Sequence, residues 1–207
     1  GVTRALIGKV LGDDGSGDSN MIFDGIQWAE RNGAQVISMS LGFDFPGLVK
    51  RLVEEQDWPV DLATSAALEA YRANLRMFDS LMDMIRSREA FGGGTVVCAA
   101  SGNESERQLD PSFEVGASLP AAADDVVSVG ALGRRNGELV VAPFSNTFPV
   151  LSAPGVAVRS AKAGGGLRDL NGTSMATPHV AGITALWWEE VRQSPVPAGS
   201  RTVTAKL

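Results

Sequence analysis

The sequence predicts an α/β fold: a three-layer α/β/α arrangement around a mostly parallel sheet. Strand and helix signals alternate along the chain. The strand segments are short, nearly continuous apolar runs, as expected of strands covered on both faces. Glycine is abundant, 24 of 207 residues, which suits tight turns and close backbone approaches. The length suits one domain.

Taken in order, Ala5 to Leu11 reads as a buried strand that ends in the turn Gly12 to Ser19. Residues 20–32 carry Ile22, Ile26 and Ala29 at helical spacing, with Ser19 or Asn20 as cap, Asp24 in the first turn and Gly33 as stop. Ala34 to Leu41 is the next strand, closed by Gly42. Leu68, Tyr71, Leu75, Phe78, Met82 and Ile85 recur at alternating spacings of three and four, which puts an apolar stripe on a helix around 62–89. That spacing also fits a coiled coil, but it runs for under three heptads, so a helix packed on a sheet is the simpler reading. Gly92-Gly93-Gly94 ends it, and Thr95 to Ala100 is a third strand. Further strands are expected at Val126 to Ala131 and near Val150 to Ala153, with a turn between short strands at Arg134 to Gly137. The last helix starts near Ser174 and ends near Arg192, ahead of Pro195 and Pro197.

Composition narrows the function. The net charge of −6 and the lack of a Lys/Arg cluster argue against a nucleic-acid partner. The apolar stretches are too short to span a membrane, and Gly1-Val2-Thr3-Arg4 does not begin a signal peptide. Cys98, the only cysteine, follows Val96 and Val97 and reads as a small buried hydrophobe. One Cys and one His exclude a Cys/His zinc site, and neither a metal nor a cofactor site is identifiable. The loop Gly12-Asp-Asp-Gly-Ser-Gly17 fits neither nucleotide-binding glycine pattern, and its two aspartates would repel phosphate.

The segment that carries chemistry is Asn171-Gly-Thr-Ser-Met-Ala-Thr-Pro-His-Val-Ala-Gly182. It places Ser174 at a loop-to-helix junction, beside unpaired backbone N–H groups and the positive end of the helix dipole. Read alone, Thr173 or Ser174 is more simply an N-cap. The string departs from the G-x-S-x-G elbow because Ala176 stands where its last glycine would be. Nearly residue for residue, it resembles the nucleophile motif of the subtilisin-like serine proteases, the subtilase family. The resemblance continues in order and spacing through Lys9 to Gly12, Gly15 to Gly17, Trp28 to Gly33, Val36 to Gly42, Val96 to Asn103, Val127 to Ala131, Phe144 to Asn146 and Ala153 to Gly155. The stretch 43–94 is longer than the family core.

The resemblance implies a partial subtilisin-like peptidase domain over 1–207, acting on peptide or protein substrates through an acyl-enzyme. Ser174 would be the nucleophile and Asn103 the side-chain donor of the oxyanion hole. Ser40-Leu41-Gly42 and Ala100-Ser101-Gly102 would flank the primary specificity pocket and pair with substrate backbone. These roles agree with the chemistry: a tetrahedral intermediate needs preorganised donors, and loss of such an asparagine in subtilisin itself costs roughly 100- to 1,000-fold in rate. Small residues beside the pocket leave backbone groups free to receive a peptide as an added strand. Read alone, Asn103 is a turn residue after Gly102.

A serine protease also needs a base and a carboxylate that orients the base. His179 lies five residues after Ser174, rotated to another helix face and about 7.5 Å along the axis. The family carries a His at this position without using it as the base. In the family the Asp and His blocks precede the region matched here, and neither block occurs in this sequence. The Asp strand would lie between the strands matching Ala5 to Leu11 and Gln35 to Ser40. An N-terminal segment is therefore expected to be needed to complete the fold, and the chain alone is expected to be inactive. Arg201 to Leu207 resembles the start of a closing helix. The alternative is a catalytically inactive, peptide-binding relative. Family habit also points to secretion and structural calcium, although the acidic residues here form no ligand series.

Overall fold

The computed structural model describes residues 2–92 and 94–207, so Gly1 and Gly93 of the expected glycine stop lie outside the described residues. The chain forms α1 (Ser19–Arg31), β1 (Val36–Met39), α2 (Phe45–Gln56), α3 (Val60–Ser87), α4 (Glu89–Gly92), β2 (Val96–Ala100) and β3 (Val126–Arg135). There follow β4 (Glu138–Val141), β5 (Leu151–Pro154), β6 (Val158–Ala161), β7 (Leu167–Leu170), α5 (Thr173–Gln193) and α6 (Ser200–Thr204).

The sheet grows outward from β2, all five of whose residues are buried. It pairs in parallel with β1 (Val36↔Val96) and β3 (Val97↔Val126), and β3 pairs in parallel with β5 (Val129↔Leu151). Within this sheet β4 runs antiparallel, joined to β3 through Asn136 and Gly137, both at positive φ as a tight hairpin turn requires, and β6 and β7 form a separate antiparallel pair. Side chains leave β2 to alternate faces. Val97 and Ala99 meet Ile22 and Ile26 of α1 and Phe78, Leu81, Met82 and Ile85 of α3. Val96 and Cys98 meet Ala176, Val180, Ala181 and Trp188 of α5. The three expected layers are therefore present, and each large side chain buried between them contributes about 1.5–3 kcal/mol.

Several elements differ from the sequence expectation. The cap of α1 is Asp18, whose carboxylate accepts the Met21 N–H at 2.9 Å, so Ser19 and Asn20 lie within the helix. Helix α3 spans 60–87 rather than 62–89, and Leu68 of the predicted stripe is 58% exposed. In that half of the helix Ala63 and Ala67 face inward, where α2 packs. Helix α2 was not expected, although Asp44 caps it by accepting the Gly47 N–H at 2.7 Å and Pro46 occupies its first turn.

The largest difference is at Ala5 to Leu11, which forms no strand and belongs to no ladder. Ile7 there is 86% exposed. A groove of about 1080 Å³ runs between this segment and β1. Without a neighbouring strand its backbone polar groups stay in water, and the buried strand expected here does not form.

Candidate active site

In an open parallel sheet, ligands gather at the carboxyl ends of the strands. At those ends β1 runs into Ser40-Leu41-Gly42 and β2 into Ser101-Gly102-Asn103, while α5 begins beside both.

Helix α5 starts without a side-chain cap of its own, because its N-cap is Gly172 at φ +150°. Asn103 supplies the missing acceptor from another loop. Its Oδ1 accepts the Thr173 N–H at 2.8 Å and the Thr173 hydroxyl at 3.1 Å. This satisfies one of the first-turn donors that a helix leaves open. It also fixes the amide: with Oδ1 held, Nδ2 is the free end and has no partner among the described residues. Thr173 is fully buried, and its Oγ1 also accepts the Gly102 N–H at 3.2 Å.

Ser174 is half-buried in the same first turn, and its hydroxyl makes only a long bond, 3.4 Å, to the Ser40 carbonyl. A reciprocal contact has a clear origin. Pro178 has no N–H, so the Ser174 carbonyl lacks the helical donor four residues on. The Ser40 hydroxyl donates to that carbonyl instead, at 2.8 Å, and so ties the end of β1 to the serine's turn.

The two predicted substrate-pairing segments behave differently. Ser40 and Gly42 are exposed, and Leu41 and Gly42 make no backbone hydrogen bond among the described residues. Ala100, Ser101 and Gly102 are buried. The Ser101 N–H donates to Val129 O at 3.0 Å, and its carbonyl accepts from Ser118 N at 2.8 Å. The Gly102 carbonyl accepts from Asn146 N at 3.1 Å.

Three residues make contacts that the sequence did not reveal: Thr173, which with Ser174 had read as an N-cap but lies inside the helix behind Gly172, and Glu104 and Asn146. The Asn146 Oδ1 accepts the N–H groups of Glu104 (3.0 Å) and Ser105 (3.1 Å), and its Nδ2 donates to Glu104 Oε2 at 2.6 Å. The block Phe144 to Asn146 was visible in the sequence as part of the resemblance. Its role depends on a contact across 42 residues, which spacing alone does not reveal.

His179 is exposed, and its Nδ1–H donates to the Met175 carbonyl one turn back at 2.8 Å. It is not bonded to Ser174. Cys98 is fully buried under α5, and burial pushes its thiol up to about 11. Among the described residues no three His, Cys, Asp or Glu side chains stand together. Asp14 and Asp110 instead accept from Ser16 and Ser112, bonds that hold both carboxyls below the usual range. Among the described residues, no helix is long and apolar enough to cross a membrane.

Known proteins match this arrangement along nearly the whole chain. Alkaline elastase YaB of Bacillus sp. (strain YaB) is 33% identical over 178 residues, covering 86% of this chain and 36% of its own length. Subtilisin BL of Lederbergia lenta is 34% identical over 178 residues, covering 86% and 51%. Among solved structures, a cold-adapted subtilisin-like serine proteinase superposes with a TM-score of 0.59 at 26% identity, over 95% of this chain and 56% of that one. Sphericase gives 0.59 at 25% identity, over 96% and 57%. The chain thus spans between about a third and somewhat over half of the length of these proteins. The pattern that describes the subtilase family matches residues 3–205, and the chain belongs to that family.

Proposed function

We propose that this chain is the nucleophile-bearing part of a serine endopeptidase. Ser174 Oγ attacks the carbonyl carbon of a peptide bond. The oxyanion that forms receives Asn103 Nδ2–H and the Ser174 N–H, a first-turn amide of α5 with no helical acceptor. Leu41 and Gly42 offer open backbone groups to an extended substrate, while Ala100 to Gly102 form the wall of the pocket. The observation that carries this reading is the Thr173 N–H on Asn103 Oδ1 at 2.8 Å, which engages the amide's oxygen at the residue before Ser174 and leaves Nδ2 as its donor end.

The hydroxyl proton of Ser174 must pass to a base, and His179 is engaged with Met175 O. We assign the base and its carboxylate to a segment outside this chain that completes the sheet. The groove beside β1 supports this assignment. Ile22, Ile26 and Ala29 of α1 line one side, and Ala181, Ala185 and Trp188 of α5 line the other. Such walls suit a strand that is apolar on both faces.

The chain alone should therefore hydrolyse a peptide substrate no faster than its Ser174→Ala variant. Turnover well above that control would mean that a base exists within these residues. The lack of a base also favours a second reading, a peptide-binding relative without activity. A labelled fluorophosphonate applied to the whole protein separates the two: an adduct at Ser174 supports the endopeptidase, and its absence supports the inactive relative.

A further inference from the structure

We infer that Glu104 and Asn146 are positioning residues for the oxyanion donor, a clamp that holds the Asn103 loop so that Nδ2 keeps one orientation. The inference rests on the role proposed for Asn103. An exposed asparagine has no packing to fix it, and a donor acts in the transition state only when it is already in place. Thr173 holds the oxygen end of the amide. The backbone end is held by Glu104, whose Oε2 accepts the Asn103 N–H at 3.0 Å.

That carboxylate is itself fixed from the interior. Asn146, 1% exposed, donates from Nδ2 to Glu104 Oε2 (2.6 Å) and to the Gly116 carbonyl (3.1 Å). Its Oδ1 accepts the N–H groups of Glu104 and Ser105, and its own N–H reaches the Gly102 carbonyl. Each residue from 102 to 105 is thus bonded to Asn146 directly or through the Glu104 carboxylate. The fit is close enough to dictate the sequence. Gly102 has φ +109°, and a Cβ there would come within 2.3 Å of Asn146 Nδ2 and 2.4 Å of Glu104 Oε2. The buried amide uses both of its donors and its acceptor, a fully satisfied arrangement that rigidifies its surroundings. The clamp needs an acceptor at Glu104 rather than a charge, so glutamine should replace it and alanine should not.

The test needs no turnover. The 15N relaxation of the Asn103 side-chain amide is measured in this chain, with the backbone amides of Val97 and Val129 as the reference for an intact core. The wild-type amide should be nearly as restrained as those backbone sites. Glu104→Ala should release it, Glu104→Gln should restore it, and Asn146→Ser should release it independently if the first variant folds poorly. An amide that stays restrained in both Glu104→Ala and Asn146→Ser overturns the clamp, as does an amide already mobile in the wild type. In the whole protein Glu104→Ala should lower kcat by up to about 100-fold with KM little changed, and Glu104→Gln should recover it. If Asn103→Ala leaves kcat unchanged while the relaxation results hold, the proposed role of Asn103 fails and the clamp stands.

Discussion

The two flanks of β2 are built from the same kind of apolar sequence and end in opposite states. Toward β3 and β5 the sheet is continuous, and Val127, Val129 and Ala131 are buried against the α5 layer. Toward the N-terminus β1 has β2 on one side only, and Ala5 to Leu11 lies across the groove with Ile7 in water. Apolar composition alone therefore does not make a strand; the backbone needs a partner for its ladder. Ser174 and Asn103, the proposed nucleophile and oxyanion donor, sit on α5 and at the end of β2, and the open flank adds one tie, from the Ser40 hydroxyl to the Ser174 carbonyl. Their contacts with each other are complete although β1 has no strand on its outer edge.

The strongest way to break this contrast is to truncate one side chain on each flank. Phe78→Ala removes a ring that is 1% exposed and faces β2, and it should lower unfolding stability by about 3–5 kcal/mol. Ile7→Ala should fall within about 0.5 kcal/mol of the wild type. Urea denaturation of both variants decides the matter. A loss of more than about 2 kcal/mol at Ile7 would mean that the segment is packed in solution and the groove is closed.

A peptide can fill the groove where truncation only probes it. An extended, continuously apolar peptide of about six residues should bind along β1 and stabilise the chain by roughly 2.7 kcal/mol at one hundred times its Kd. A polar peptide of equal length should not. If the denaturation midpoint stays put at saturating apolar peptide, the edge of β1 is no acceptor for a strand.

Much of this was legible in the sequence, for physical reasons that differ by element. Ile22, Ile26, Phe78, Met82 and Ile85 show their faces because helix period converts directly into burial. The place of Ser174 in the first turn of a helix was legible because the twelve residues from Asn171 to Gly182 resemble the family's motif without a break. The ribbon of β6 and β7 was not: its residues are almost all exposed, and Arg159 with Asp169 is its visible tie, so no apolar pattern marks it. Asp18 was overlooked beside Ser19 and Asn20 because all three residue types cap helices, and only backbone geometry chooses among them. The Glu104–Asn146 pair was hidden because a buried amide has no sequence period at all.

A smaller effect sharpens the closed flank from within. Cys98 on β2 is buried beside Thr184, and burial pushes its thiol from 9.0 up to about 11. The folded state therefore holds the proton at pH values where the unfolded chain has released it. The stabilisation is fully present below pH 9 and is lost as pH climbs from 9 through 11. At pH 10 the wild type should have lost about 1 kcal/mol that a Cys98→Ala variant keeps, read as the change in their stability difference between pH 8 and pH 10. A thiol-alkylating reagent gives the matching kinetic result at pH 8. Cys98 in the native chain should react only as fast as the core opens, whereas a cysteine placed by Ile7→Cys should react at the rate of a free thiol. Rapid labelling of native Cys98 would show that β2 is open on the α5 side and would erase the difference between the two flanks.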